Sequence, residues 1–386
     1  MITNVPNQAY YLNLEDSRSA KLSPDNSQVY VLHNKGIQSI NLTTGGKFDF
    51  PTFSDGSDFV FLPDGRLLVA TARGLVIYTG AIASLIPSTK VGGRLKVREN
   101  LIFQHIGTSI YVYDLTFKNI AQKTVGVTVL NDFEFKNNML YVCGYQQSKF
   151  DNIPVQIAFV YRYKFENNVF MNIPIDSTRN QGKLWGYGAD QLTNNSADTR
   201  GEKLSIEGDR LYFLGSAFGG NNIFRYNGVD LSTNTLSSID NNSSPALIPS
   251  DTSTYIGVID IASFTVVKGQ LVFTRLGNGR GNTIFPRTIH ADVNSLFVAG
   301  RGSYQIPDRP TRTFANKPLP AYTGMDTSFK QYDKQLTSRQ WVTPGRGDPI
   351  LFNDKVAVMR VSIRDLAQTK PVTLQASDNN SYLIVW

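Results

Sequence analysis

The residues best suited to chemistry occupy one repeated position in the sequence. Eight segments share a turn containing Asp, Asn or Gly, followed by a short apolar stretch. The residue four positions after the start of each apolar stretch is, in chain order, His33, Thr71, His105, Gly144, Gly215, Arg275, Gly300 and Arg360. Because guanidinium groups offer paired N–H donors that match oxyanions, the two histidines and two arginines predict an anion-binding rim, with the glycines leaving room for a ligand. The competing interpretation is that polar residues simply end each strand.

Aromatic residues in turn-rich segments form a second group of candidates. Trp185 and Tyr187 stand in a Trp-Gly-Tyr-Gly sequence, and Tyr304 and Trp341 lie further along the chain. Aromatic rings combine a large apolar surface with a polar edge and are common at binding surfaces. These four residues motivate a carbohydrate-binding hypothesis. The alternative is that the rings pack against their own domain.

Catalytic and metal-ligating patterns are weak in this sequence. It contains no nucleophile-elbow, phosphate-loop or dinucleotide-binding motif. Asp132 and Glu134 alternate on one strand face, but a pair lacks the clustering that a metal site requires. Cys143 stands in an apolar stretch and is predicted to be a buried hydrophobe. We therefore expect no catalytic residue, metal or cofactor; a hydrolase or lyase acting on an anionic substrate through the rim is the remaining enzymatic hypothesis.

The elements that carry these residues are predicted to be β-strands. The 386-residue chain is 41% hydrophobic and 18% charged, which suffices for a core and excludes wholesale disorder. Its many Gly, Tyr and Phe residues favour strands and turns. No window of helical length keeps apolar residues at i, i+3, i+4 and i+7. A single cysteine excludes a disulfide framework. The sequence therefore predicts a nearly all-β protein.

The repeated segments are predicted to be hairpins. Their apolar strands begin at Val29, Leu67, Leu101, Leu140, Leu211, Leu271, Leu296 and Val356. The first three spacings are 38, 34 and 39 residues, close to the period of a four-stranded sheet repeated around a ring. The Asp-Gly and Asn-Asn turns accept the positive φ that two-residue connections require.

Two segments resemble a known repeat family. SPDNSQVYVLHNKGIQSINLTTGG (23–46) is similar to a YVTN-type β-propeller repeat in its turn, its apolar strand and its Thr-Gly ending. FLPDGRLLVATARGLVIYTG (61–80) resembles the same repeat and NHL-type repeats. The resemblance covers two or three units well. It implies a propeller fold and no single activity.

The expected architecture is a single β-propeller over residues 1–386. Seven blades is the preferred count, with six and eight left open, and the closely spaced hairpins at Leu271 and Leu296 are expected to share one blade. The strand at 9–14 and the strand at 381–386 lack hairpin partners in sequence. We expect these terminal strands to close the ring, which would remove exposed sheet edges.

Three long polar segments interrupt the repeats, at 172–202, 230–256 and 303–348. Segments of this length are usually binding loops, lids or disordered regions. The third contains Arg346-Gly347-Asp348, an integrin-type tripeptide that is also ordinary turn chemistry.

Positive charge concentrates in the C-terminal part of the chain, whose overall net charge is +7. Between Arg275 and Lys370 there are 15 Lys+Arg, seven Asp and no Glu. Such a surface would suit an anionic glycan or an acidic protein, while an ordinary solvated face is the alternative. No nucleic-acid-binding motif accompanies the charge, so nucleic acid is not an expected partner.

These features favour a non-enzymatic structural or interaction protein that binds the protein subunits of a large assembly, such as a phage virion or tail. The alternatives are a carbohydrate-binding (lectin-like) or receptor-binding propeller, and a propeller hydrolase or lyase that acts on an anionic substrate. The N-terminal residues lack the pattern of a signal peptide, and no apolar run is long enough to span a membrane. A virion component, a cytoplasmic protein or a mature secreted domain would each fit.

Overall fold

The computed structural model describes residues 9–12, 18–80, 82–150, 153–172, 182–185, 198–218, 252–275, 281–282, 284–291, 293, 295–302, 313–314, 317–318, 330–332, 355–362, 368–375 and 381–384. Within these residues the one helical element is a 3-10 turn, Pro51–Phe53. The prediction of an all-β protein is confirmed. None of the described helical segments has the length and apolar character needed to cross a membrane.

The first half of the chain forms four successive antiparallel sheets, preceded by strand β1 (Ala9–Leu12). The first sheet contains β2 (Ser19–Leu22), β3 (Gln28–His33), β4 (Gly36–Asn41) and β5 (Lys47–Phe50). The second contains β6 (Gly56–Phe61), β7 (Leu67–Thr71), β8 (Gly74–Tyr78) and β9 (Ala83–Leu85). The third contains β10 (Arg94–Arg98), β11 (Leu101–Ile106), β12 (Ser109–Tyr113) and β13 (Asn119–Thr124). The fourth contains β14 (Val129–Lys136), β15 (Met139–Phe150), β16 (Ile153–Glu166) and β17 (Val169–Asn172), with β18 (Gly182–Trp185) also paired to β16.

Two further sheets follow. The fifth contains β19 (Thr199–Glu207), β20 (Arg210–Phe218), β21 (Thr252–Asp260), β22 (Thr265–Arg275) and β23 (Gly281–Asn282). The remaining strands are β24 (Ile284–Ala291), β25 (Ser295–Gly302), β26 (Thr313–Phe314), β27 (Lys317–Pro318), β28 (Lys330–Tyr332), β29 (Lys355–Ser362), β30 (Gln368–Gln375) and β31 (Ser381–Ile384). Strands β24, β25, β29 and β30 form the sixth sheet, β26 pairs with β27, and β28 pairs with β22.

The hairpin turns use the predicted backbone chemistry. Asn137 and Asn138 connect β14 to β15 with φ values of 52° and 57°. Glu99 and Asn100 connect β10 to β11 with φ values of 50° and 62°. Two consecutive residues with positive φ match the right-handed twist of the flanking strands. The turns therefore set the register of both hairpins.

The hydrophobic core lies between consecutive sheets. Leu32 and Ile37 of the first sheet pack with Phe59 and Val69 of the second. Equivalent clusters join the second sheet to the third, the third to the fourth and the fifth to the sixth. First strands of neighbouring sheets lie against one another in the pairs β2 and β6, β6 and β10, β14 and β19, and β19 and β24. Sheets stacked face to face around their first strands form a β-propeller, so the predicted fold is confirmed.

The ends of the chain pair as predicted. Strand β1 runs antiparallel to β31, with Ala9 opposite Ile384 and Leu12 opposite Ser381. Six sheets of four or more strands are described, and seven blades stays a prediction.

Two details of the repeat assignment are wrong, and the first is that Val356 lies on β29, the third strand of the sixth sheet. The segments at Leu271 and Leu296 belong to different sheets, because β22 is the fourth strand of the fifth sheet and β25 is the second strand of the sixth. The glycine that suggested a hairpin turn, Gly269, lies within β22 opposite Gly257 of β21. A strand glycine and a turn glycine look alike in a short sequence pattern.

Candidate functional site

Two aspartates occupy equivalent inner positions in the second and fourth sheets. Asp58 on β6 pairs with Ala70, and Asp132 on β14 pairs with Cys143, which is the same place in the hairpin. Each aspartate directly follows a β-bulge. A bulge redirects the following side chain. Both carboxylates are buried, with Asp58 7% and Asp132 3% exposed.

Asp58 links three consecutive sheets. Its Oδ1 lies 3.2 Å from Lys21 Nζ on the first sheet. Its Oδ2 accepts a hydrogen bond of 2.7 Å from the backbone N–H of Leu95 on the third sheet. Lys21 Nζ also donates to the Leu95 carbonyl oxygen, at 3.1 Å. We call this arrangement, an acidic side chain bonded to the sheet before and the sheet after it, a three-sheet clamp.

Asp132 forms a second three-sheet clamp. Its Oδ1 lies 3.1 Å from Lys96 Nζ on the third sheet. Its Oδ2 accepts a hydrogen bond of 3.0 Å from the N–H of Leu204 on the fifth sheet. Glu134 extends the network, because its Oε1 lies 2.7 Å from the same lysine nitrogen and its Oε2 lies 2.9 Å from Arg98 Nε. The prediction that Asp132 and Glu134 share a strand face is therefore confirmed.

Burial and charge act in opposite directions on this second clamp. Burial by itself would raise the pKa of Asp132, but the ammonium groups of Lys96 and Lys203 and the Leu204 N–H overcome it and lower that pKa to about 2. Burial disfavours the charged form of Lys96, yet the two carboxylates raise its pKa above the ordinary value. For Lys203 burial prevails, and its pKa is lowered despite Asp132. Asp132 therefore stays ionised and forms an ion pair. A general acid, by contrast, would have to carry a proton.

The shifted pKa of Asp132 predicts a specific acid sensitivity. Because its pKa is about 2 in the folded protein and 3.8 without these contacts, the stabilisation is complete above about pH 4 and is lost as the pH falls through 2. Between pH 6 and pH 2 the wild-type protein should lose about 2 kcal/mol more unfolding free energy than Asp132→Asn. Urea unfolding of both proteins at pH 6, 4 and 2 measures the difference. Parallel losses in the two proteins would contradict the prediction.

A cavity of about 440 Å³ opens beside the second clamp. Its walls come from the first strands of the third to sixth sheets, β10, β14, β19 and β24. The basic side chains in the wall are Lys96, Arg98, Lys136 and Lys203. The carboxylates are those of Glu99, Asp132 and Glu134, and His290 completes the titratable lining.

The cavity and the predicted rim lie at opposite ends of the strands. His105 of the rim lies on β11 and pairs with Arg94 at the start of β10. Arg98, which lines the cavity, is the last residue of β10. The cavity therefore opens where each first strand turns into its second strand. The rim lies where the second strand leaves the hairpin.

The histidines of the rim are buried rather than open to solvent. His33 is 6% and His105 7% exposed. His105 Nε2 lies 2.8 Å from the Gly107 carbonyl oxygen, so Nε2 carries the proton, and the buried Nδ1 has no hydrogen-bond partner among the described residues. Burial lowers the pKa of His105, although the Gly107 bond and Asp132 act against it. A neutral imidazole attracts an anion weakly.

The two arginines of the rim belong to other strands of their sheets. Arg275 lies at the end of β22, the fourth strand of the fifth sheet, opposite Gly281. Arg360 lies on β29, the third strand of the sixth sheet, opposite Phe297 near the start of β25. Third strands run antiparallel to second strands, so Arg360 lies at the cavity end and does not join the histidines. Anion binding at the rim stays a prediction.

Gly144, one of the three rim glycines, leaves no free space for a ligand. A β-carbon on Gly144 would lie 2.9 Å from the Val129 carbonyl carbon and 3.1 Å from Leu130 Cα. A β-carbon on Gly201, which pairs with Gly215, would lie 2.9 Å from the Gly144 nitrogen. Neighbouring backbone fills this space. The expectation that the glycines admit a ligand is therefore wrong at Gly144.

The aromatic candidates lie largely outside the described residues. Trp185 is the last residue of β18, opposite Ala158 of β16. Tyr187, Tyr304 and Trp341 lie outside the described ranges, as do the Arg346-Gly347-Asp348 tripeptide and most of the three long segments. Carbohydrate binding stays a prediction.

Cys143 is fully buried, as predicted. Burial raises the pKa of its thiol well above the ordinary value, and the nearby Asp132 adds to that effect. A neutral thiol is a poor nucleophile and a poor metal ligand. Across the described ranges, no three His, Cys, Asp or Glu side chains group as a metal site would require.

Sequence reasoning missed the clamps, although the sequence contains a signal for them. Residues 57–61 read Ser-Asp-Phe-Val-Phe and residues 131–135 read Asn-Asp-Phe-Glu-Phe. The repeated Asp-Phe follows the bulge in both sheets, and the bulged residues Ser57 and Asn131 donate to carbonyl oxygens of the next sheet, those of Gly93 at 2.8 Å and Gly201 at 2.7 Å. Comparing first strands would have exposed this pattern.

Comparison with known proteins gives similarity to propellers at low identity. No family model and no curated protein sequence matches the chain. Among solved structures, Hsv2p of Kluyveromyces lactis is 12% identical, with 94% of this chain and 98% of that chain covered and a TM-score of 0.41. The Pan2 WD40 domain of Neurospora crassa is 12% identical, with coverages of 73% and 71% and a TM-score of 0.41. The calcium-binding protein regucalcin of Agrobacterium tumefaciens is 11% identical, with coverages of 75% and 83% and a TM-score of 0.37.

Proposed function

We propose that the chain is a non-enzymatic interaction propeller whose outer strands bind protein subunits of a larger assembly, such as a phage virion or tail. The observation that carries this proposal is apolar exposure on the fourth strands. Phe48 on β5 is 61%, Leu85 on β9 52% and Val169 on β17 56% exposed. Exposed apolar side chains on a sheet edge are a surface that another chain can cover.

The backbone of these edges supports the same proposal. Among the described strands, β5, β9 and β17 each have one pairing partner and end their sheets. Their outer N–H and C=O groups are therefore available for strand addition by a partner protein. The three-sheet clamps further support a rigid scaffold, because the carboxylates of Asp58 and Asp132 are bonded to the sheets on either side and Asp132 stays ionised.

The test is the mass of the native particle that contains the chain. The wild-type protein, isolated from its source under native conditions, should elute as a complex far heavier than 42.9 kDa. The variant Phe48→Lys/Val169→Lys should shift to the mass of the free chain, since a charge at the centre of an apolar contact costs several kcal/mol when buried.

A matched control uses the polar outer strand β13. Asn119→Lys/Gln122→Lys adds the same charge at two exposed positions and should leave the complex intact. A wild-type particle with the mass of one chain, or a complex retained by the Phe48/Val169 variant, would refute the proposal.

A further inference from the structure

The cavity beside the second clamp contains more positive charge than its carboxylates neutralise. Asp132 Oδ1 faces Lys96 at 3.1 Å and its Oδ2 is taken by the Leu204 N–H. Glu134 accepts from Lys96 at 2.7 Å and from Arg98 Nη2 at 3.1 Å. These two buried carboxylates are therefore balanced by one lysine and one arginine. The other two lysines of the wall add charge that they do not balance.

Lys203 is the least satisfied of these cations. Its Nζ lies 3.8 Å from Asp132 Oδ1, beyond hydrogen-bonding distance, and that oxygen already faces Lys96. No other ion pair of Lys203 exists among the described residues. The side chain is 25% exposed, and it lines the cavity. A half-buried ammonium group with three N–H donors and no hydrogen-bonded carboxylate would be stabilised by a bound anion.

Lys136 and Arg98 bring spare donors to the same cavity from two other sheets. Lys136 Nζ donates to the Gly208 carbonyl oxygen, which uses one of its three N–H groups. Arg98 donates to Glu134 through Nε and Nη2 and to the Val97 carbonyl oxygen through Nη1. These three bonds leave two of its five N–H groups. Glu99, the third carboxylate of the wall, is exposed and accepts from the Asn137 N–H at 2.6 Å.

We propose that this cavity is a binding site for the phosphate group of a small molecule, held by Arg98, Lys136 and Lys203. The three side chains come from the third, fourth and fifth sheets, so their donors approach from different directions. A tetrahedral dianion offers oxygens in several directions and matches such a set better than a planar carboxylate does. A volume of about 440 Å³ admits a phosphate together with a small organic group. This site is independent of the outer strands in the proposed function.

The experiment is calorimetric titration of the full chain at constant ionic strength, with inorganic phosphate, glucose 6-phosphate and unmodified glucose as probes. Both phosphates should bind and glucose should not. Tighter binding of glucose 6-phosphate would assign a phosphorylated small molecule, and equal affinities would assign free phosphate; both results support the site. Lys136→Gln/Lys203→Gln should weaken binding about tenfold or more, because each substitution removes a charge-assisted hydrogen bond to the anion.

Two further variants keep the test decisive. Lys164→Gln removes a lysine whose ion pair with Glu166 is half exposed and lies outside the cavity, so its affinity should equal that of the wild type. Lys136→Gln alone keeps Lys203 beside Asp132, and it should still weaken binding if the double variant does not fold. Absence of binding by both phosphates would overturn the proposal, and so would unchanged affinity in a folded variant that lacks Lys136.

Discussion

Replacing Asp132 with alanine is expected to lower the free energy of unfolding by about 3–5 kcal/mol, because it removes one partner of a buried ion pair. Lys96 Nζ loses the carboxylate oxygen at 3.1 Å, and the Leu204 N–H loses its acceptor at 3.0 Å. The Lys96 side chain is 19% exposed, so water replaces the carboxylate incompletely. Urea-induced unfolding measures the loss.

An exposed ion pair supplies the control for this substitution. Asp64 lies 2.6 Å from Arg66 Nη2, but its side chain is 51% exposed. Asp64→Ala should therefore cost less than about 1 kcal/mol. Combining Asp132→Ala with Lys96→Met should recover part of the loss, because it removes the buried ammonium group that has lost one of its two carboxylates. Equal losses for Asp132→Ala and Asp64→Ala would show that the clamp contributes nothing beyond a surface pair.

Replacing Gly144 with alanine is the second substitution with a large expected effect. The new methyl group would lie 2.9 Å from the Val129 carbonyl carbon and 3.1 Å from Leu130 Cα, and closer still to the Val129 oxygen. These atoms are backbone and cannot rotate away, so the bulged strand β14 must move. Overpacking of this kind costs about 1–3 kcal/mol or more, which should appear as a lower melting temperature.

Gly126 is the matched control for the alanine substitution. A β-carbon there would meet no atom within 4 Å. Gly126→Ala should therefore leave the melting temperature within a degree or two of the wild-type value, roughly the shift from a few tenths of a kcal/mol. If Gly144→Ala behaved in the same way, the close approach of Val129 would not be a constraint on this fold.

The hairpins were predictable because their determinants are local. A turn of two residues such as Asn137-Asn138 selects its own backbone conformation, and the apolar residues that follow set the strand. Repetition of this unit then implies sheets that stack on one another. Even so, the sequence pattern wrongly predicts a turn at Gly269, because a glycine within a paired strand has no local feature that distinguishes it from a turn glycine.

The clamps were not predictable from the acidic residues alone. Strand alternation predicts that Asp132 and Glu134 share one strand face, but the partners of Asp132, Lys96 and Leu204, lie 36 residues before it and 72 residues after it in sequence. The bulge that redirects Asp132 toward those partners depends on the pairing of β14 with β15. Electrostatic contacts of this kind become visible only when the neighbouring sheets are in place.

Arg360 was placed with the predicted rim for a similar reason. Counting from the first apolar residue assumes that every counted strand is the second of its sheet. That holds for His33 on β3 and His105 on β11, but Arg360 lies on a third strand, which runs the other way. One misassigned strand moves a side chain to the opposite face of a propeller.

The order in which the clamp partners occur along the chain has a consequence for biosynthesis. Lys21 precedes Asp58 by 37 residues, and Leu95 follows it by 37. A nascent chain that has emerged through the second sheet can form the ion pair but still lacks the N–H group that the other carboxylate oxygen accepts. The contacts of Asp132 are delayed in the same way, because Lys96 belongs to the third sheet while Leu204 of the fifth sheet emerges 72 residues after Asp132. Chains fold from the N-terminus as they are made, so the first clamp is completed when the third sheet emerges and the second clamp when the fifth sheet emerges.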